Sequence, residues 1–138
     1  MESDPNFELE YKSLAENVRW WSNLRFAQLT LFVVLMAALF STVNNPNLEL
    51  PNIVMLGLKL GGLFTSFVFY YLEFRANEYW THFINRAAKI EASLGFKQFS
   101  ERPIRKIRTS YLLRLFFIGI AVYWLFTLIA PCWLPNLI

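Results

Sequence analysis

The chain has 138 residues, 56 % of them hydrophobic and 18 % aromatic, with charged types at only 17 % and a formal charge of +3. A soluble domain carries about a quarter charged residues, so this composition argues against an ordinary soluble enzyme, a disordered chain or a secreted disulfide scaffold, and the small net charge gives no reason to expect nucleic acid. The single cysteine, Cys132, allows no internal disulfide, and no Cys/His cluster is present for a metal; no cofactor is expected.

The opening Met-Glu-Ser-Asp-Pro is acidic, unlike the basic start of a cleaved signal peptide. Residues 1–25 read as a cytoplasmic amphipathic helix. Pro5 suits a first helical turn, Asp4 an N-cap, and Glu8 an acidic opening turn. Phe7, Tyr11, Leu14, Val18 and Trp21 recur at spacings of four and three, which is one apolar stripe. No Gly or Pro separates this stripe from the first apolar block, 26–43, so one long helix is predicted across both.

A bilayer core takes about 20 apolar residues as a helix, and three blocks approach that length. They are 26–43, 53–72 and 111–134, joined by an outer turn at 44–52 and followed by an outer tail at 135–138. In lipid the backbone must satisfy its own hydrogen bonds, so each block is expected to span as a helix. Pro131 and Pro135 suggest that the third helix ends near the far interface. Lys12, Arg19 and Arg25 precede the first block, and eight Lys or Arg lie in the connection 73–110, whereas the turn 44–52 and the tail hold none. The positive-inside rule then puts the N-terminus and the long connection in the cytoplasm of an inner (plasma) membrane, and the C-terminus outside. Trp20, Trp21, Tyr70 and Tyr71 fall near the inner interface, and Cys132 and Trp133 near the outer one.

After the second block the helical pattern continues without Gly or Pro to Leu94, and Gly95 is a suitable C-cap. Trp80, Phe83, Ala87, Ile90 and Leu94 form a second stripe, with Trp20, Tyr79 and Ile84 lying off the two stripes. The expected fold is all-α and integral to the membrane, with three transmembrane helices and a long antiparallel helical hairpin extending into the cytoplasm. The stripes are expected to serve as the hairpin core, as a cytoplasmic interface between subunits, or as both. Ser100 with Glu101 and Pro103 is read as a helix start leading into the third block. Arg102, Arg105, Lys106, Arg108 and Arg114 form a basic cluster at the lipid headgroups, which either recruits an anion or only enforces topology.

Little in the sequence carries chemistry. His82 is the only histidine, and Glu78, one turn away, reads as its surface partner; the chain is not expected to be an enzyme. The second block is richer. Gly57 and Gly61, with Gly62 beside them, form a G-x-x-x-G packing seam. Lys59, the one charge within the second block, lies opposite that seam, and Ser66, Tyr70, Glu73 and Asn77 fall on its side. A charge in the bilayer costs about 2.5–3.5 kcal/mol. Lys59 therefore either snorkels to the outer surface or joins this stripe in a polar seam or pore lined by several copies.

The segments Tyr11-Lys-Ser-Leu-Ala-Glu16, Glu78-Tyr-Trp-Thr-His-Phe-Ile-Asn-Arg-Ala-Ala-Lys-Ile-Glu91 and Phe99-Ser-Glu-Arg-Pro103 give the hairpin and return segment an architectural resemblance to small prokaryotic few-helix membrane effectors of anti-phage defence loci. The resemblance implies a homo-oligomer that permeabilises the inner membrane when triggered, and it transfers no functional residue. The alternative is a non-conducting scaffold or small subunit that anchors a cytoplasmic protein partner.

Overall fold

The computed structural model describes residues 5–101 and 109–133, and these are all-helical apart from the connections. Helix α1 runs over Pro5–Val43, α2 over Asn52–Leu94 and α3 over Thr109–Trp133. All three are long and apolar enough to cross a membrane. The expected merging of the first stripe with the first apolar block into one helix holds, and α2 likewise carries the second block and the second stripe without a break. Asp4 and the cationic residues Arg102, Arg105, Lys106 and Arg108 lie outside the described residues.

Local chemistry sets the ends. The turn after α1 is stitched by Asn44 and Asn45: the Asn44 side chain donates to Phe40 O at 2.8 Å, and Asn45 Oδ1 accepts from the Asn47 N–H at 3.0 Å. Short polar side chains of this kind replace the backbone partners a helix end lacks. Pro51 then opens α2, its carbonyl accepting from Val54 and Met55. Gly95 ends α2 in the left-handed region (φ 76°) and donates to Glu91 O, where a side chain would be strained. Ser100 lies in a turn, and the described part of the next helix starts at Thr109.

The helices pack as antiparallel neighbours around α2. Tyr11 meets Glu91, Ser22 meets Trp80, Arg25 meets Glu73 and Phe32 meets Phe69, in opposite chain order. On α3, Ser110 meets Asn77, Arg114 lies over Phe74, Trp124 covers Gly62 and Thr127 accepts from Lys59. Helix α2 is thus the spine. Helices α1 and α3 reach each other through large side chains: Phe32 with Phe117 at 4.7 Å, and Phe40 stacked on Trp124 at 5.0 Å.

Two apolar cores result. One sits between the candidate spans and consists of Phe32, Met36, Phe69, Phe117 and Trp124. The other lies far along the hairpin and consists of Leu14, Ala87 and Ile90, with Tyr11, Phe83, Leu94 and Phe99 against it. The stripe positions Leu14, Val18, Ala87 and Ile90 are buried. Two expectations need correction. Phe7 is 40 % exposed, because α1 there runs past the end of α2; Ile84, placed off the stripe, is buried. The face α2 gives to α1 is wider than a two-position seam, as is usual for a helix packed in a globular core. Tyr79, also off the stripe, stacks on Trp21 at 4.8 Å.

Candidate functional site

Three polar groupings stand out, one at each level of the molecule. The first lies where the apolar blocks give way to the hairpin. Arg25, the last residue before the first block, forks onto Glu73, the first residue after the second: Nε donates to Oε2 at 3.0 Å and Nη2 to Oε1. The side chains are only 15 % and 5 % exposed, so the pair is withdrawn from solvent. The same Nη2 donates to Ser110 Oγ at 3.3 Å, and Ser110 donates to Asn77 Oδ1 at 2.6 Å. The guanidinium also sits 5.9 Å from the Trp80 ring centre, and the Trp80 indole donates to Ser22 Oγ at 3.1 Å. One cation thereby fastens all three helices. A bidentate Arg–carboxylate fork fixes orientation as well as position, and removing one member would strand the other.

The second grouping is at the far end of the hairpin. Glu91 is fully buried. Its carboxylate accepts from the backbone N–H of Phe99 (2.8 Å to Oε1) and of Ser100 (2.8 Å to Oε2), and from the Tyr11 hydroxyl at 3.0 Å. Burial pushes this carboxyl up, but the Phe99 and Ser100 N–H groups and the Tyr11 hydroxyl outweigh it and hold it below its ordinary value. Tyr11 is pushed up in turn, by burial and by its bond to the Glu91 carboxylate. The segment following Gly95 is thus clasped over the hairpin tip, with Phe99 and Phe96 at 6.0 and 5.8 Å from the Tyr11 ring. Sequence reasoning missed Glu91 as a site. Its signal is a carboxylate one turn before a helix-ending Gly, where chain turning back can present its N–H groups.

The third is the α2–α3 seam between the candidate spans. Lys59 is half-buried, and its ammonium donates to the Thr127 backbone carbonyl at 3.1 Å. The Thr127 hydroxyl in turn donates to Trp124 O at 2.8 Å. Ser66 is buried and returns its hydroxyl to Gly62 O at 2.8 Å, as hydroxyl residues do when buried in apolar helices. Tyr70 packs against the apolar core, Glu73 pairs with Arg25, and Asn77 holds Ser110. The polar stripe expected to face other copies is therefore brought together inside a single chain, because Gly62, Ser66, Phe69, Glu73 and Ala76 form the buried face of α2.

The glycines divide in the same way. A Cβ on Gly62 would fall 2.3 Å from the Trp124 indole, so Gly62 makes room for that ring. At Gly57 and Gly61 a Cβ would meet no atom within 4 Å; neither is used for packing among the described residues. The surface pair expected between Glu78 and His82 is replaced by Glu78 with Arg75, at 3.1 Å, because Arg75 reaches forward along the helix to Glu78 and Tyr79. His82 lies exposed, edge-on to Phe83. No group of three His, Cys, Asp or Glu side chains suited to a metal occurs among the described residues. Compared with known proteins, the chain matches no family model, no curated protein and no solved structure.

Proposed function

We propose that the chain is a multi-pass protein of the inner (plasma) membrane, N-terminus cytoplasmic and C-terminus outside, that works without catalysis as a scaffold or small subunit presenting a stiff helical arm to a cytoplasmic protein partner. The observation that carries this is the hairpin fastened at both ends. Beyond Leu72, α2 continues to Leu94, about 33 Å at about 1.5 Å per residue, alongside the first part of α1. The Arg25–Glu73 fork ties its base and the Glu91 clasp ties its tip. Positive charge on the hairpin side supports the orientation. Tying both ends of a protruding arm reduces the ordering that a partner must supply on binding.

The test places a photo-crosslinking residue at exposed Asn85 or Lys89, on the arm, and at lipid-facing Phe64. The arm positions should give a discrete protein adduct in cells and Phe64 should not. Equal adducts at all three positions, or none on the arm, refute the scaffold.

A second reading, an oligomeric pore-forming or membrane-permeabilising effector as the defence-system resemblance implies, is favoured by the outer half of α2. Gly57 and Gly61 leave a small-residue face open to another copy, and Lys59 keeps part of its surface outside the chain. Ion flux through liposomes holding the purified protein, altered by Lys59→Leu, would establish that reading over the scaffold.

A further inference from the structure

The side of the α2–α3 seam near the basic end carries a cation, Arg114, with no acid beside it among the described residues. Arg114 lies with its guanidinium 4.9 Å from the Phe74 ring centre, and its Nε is buried without a hydrogen-bond partner among the described residues. Among the described residues no carboxylate pairs with it, whereas Arg25, Arg75 and Arg86 each have one. One turn deeper between the same two helices is a half-open apolar notch of about 140 Å³, lined by Tyr70, Phe67, Ile118 and Ala121 over buried Ser66 and Phe117. At about 1.5 Å per residue, Ile118 and Ala121 lie roughly 6 and 10 Å farther along α3 than Arg114. The seam thus offers a cation at the boundary of the candidate span, then a hydrocarbon-lined groove running into it.

We infer that this seam holds a single anionic phospholipid, its phosphate on Arg114 and part of one acyl chain in the notch between Phe67, Tyr70, Ile118 and Ala121. Charge complementarity selects the occupant. A half-buried guanidinium lacking a counter-ion is costly in low dielectric, and a phosphate supplies both the charge and a pair of acceptor oxygens that the planar guanidinium fork fits. The notch is almost wholly apolar, so it favours a chain over a soluble anion. Stacking on Phe74 holds the guanidinium plane in place before the lipid arrives. The site rests on the chain lying in a bilayer, and not on whether the arm scaffolds or an assembly conducts.

The test is native mass spectrometry of the full chain released from nanodiscs of equimolar phosphatidylglycerol and phosphatidylcholine. Wild type should retain a single phosphatidylglycerol with about tenfold preference. Arg114→Gln should bring the preference close to unity. Ala121→Phe, which fills the notch and leaves the cation, should lower it as well, whereas Arg75→Gln, exposed and away from the seam, should leave it unchanged. Three results overturn the inference: no preference in wild type, undiminished preference in Ala121→Phe, or a loss in Arg75→Gln equal to that in Arg114→Gln. The wild-type measurement stands even where a variant fails to fold. A chain that does not enter nanodiscs at all would instead overturn the membrane assignment.

Discussion

Glu91→Ala is expected to open the hairpin tip while leaving the rest of the molecule in place. The substitution removes the acceptor of the Phe99 and Ser100 N–H groups and of the Tyr11 hydroxyl. Hydrogen bonds to a charged group contribute about 1.5–3 kcal/mol each. Simple addition overstates the loss, since Ser100 is exposed and Phe99 half-buried, so water replaces part of what the carboxylate gave. A local loss of about 2–3 kcal/mol remains, which is roughly thirty- to over a hundredfold in the opening equilibrium. Amide exchange reads this directly: the Phe99 and Ser100 amides should lose that factor of protection, and amides of the Phe32–Phe69 core should not change. The pH dependence has a fixed sign. Glu91 is held below its ordinary value in the fold, so its contribution is complete above the unfolded carboxyl range, near about 4.5, and is lost as pH falls through the still lower folded value. Protection at Phe99 and Ser100 should therefore be flat from neutral pH down to that range and fall below it. Unchanged exchange in Glu91→Ala, or a transition between pH about 6 and 7, would refute the clasp.

Two further perturbations probe the spans. Gly62→Ala drives a methyl into the Trp124 indole and should destabilise the fold by about 1–3 kcal/mol, as overpacking does, whereas Gly57→Ala and Gly61→Ala should leave monomer stability within about 0.5 kcal/mol; SDS unfolding followed by tryptophan fluorescence separates them. Arg25→Met or Glu73→Met alone should cost about 3 kcal/mol in the same assay, because each strands a buried charge, and the double variant should cost less than the two losses combined. Additive losses would show that the two residues do not act as a pair.

The fold was legible because few forces set it. Absence of Gly and Pro from Phe7 to Thr42 and from Leu63 to Leu94, together with apolar blocks of spanning length, leaves long helices as the only way to satisfy the backbone in lipid. Gly95 marks the end of α2 through its own backbone freedom. What the sequence conceals is who faces whom. Ser66, Glu73 and Asn77 stand out as a polar stripe, but only the register of α1 and α3 shows that Gly62 O, Arg25 and Ser110 consume them. Glu91 is disguised by its type, since an acid in a helix outside the apolar blocks reads as surface. Trp124 over Gly62 needs the α2–α3 register, which no pattern within either helix contains.

That register has a consequence for how the parts act on one another. The polar contacts that join all three helices gather at the basic boundary of the bundle, where Arg25 bonds Glu73 and Ser110 and lies beside Trp80. Below that layer, Lys59 on the Thr127 carbonyl and Ser66 on Gly62 O apart, the contacts are aromatic and apolar, and their strength varies smoothly with small displacements. The fork is directional, and a shift of an ångström in α3 at Ser110 takes a hydrogen-bond partner from the same guanidinium that holds the base of the arm. Among the described residues, helix α3 is therefore joined to the hairpin base by two hydrogen bonds at Ser110, one received from Arg25 and one given to Asn77. On the proposed function, a partner that grips the hairpin and a bilayer that squeezes α3 would act on the same few hydrogen bonds, and this layer, rather than Lys59, would couple the two.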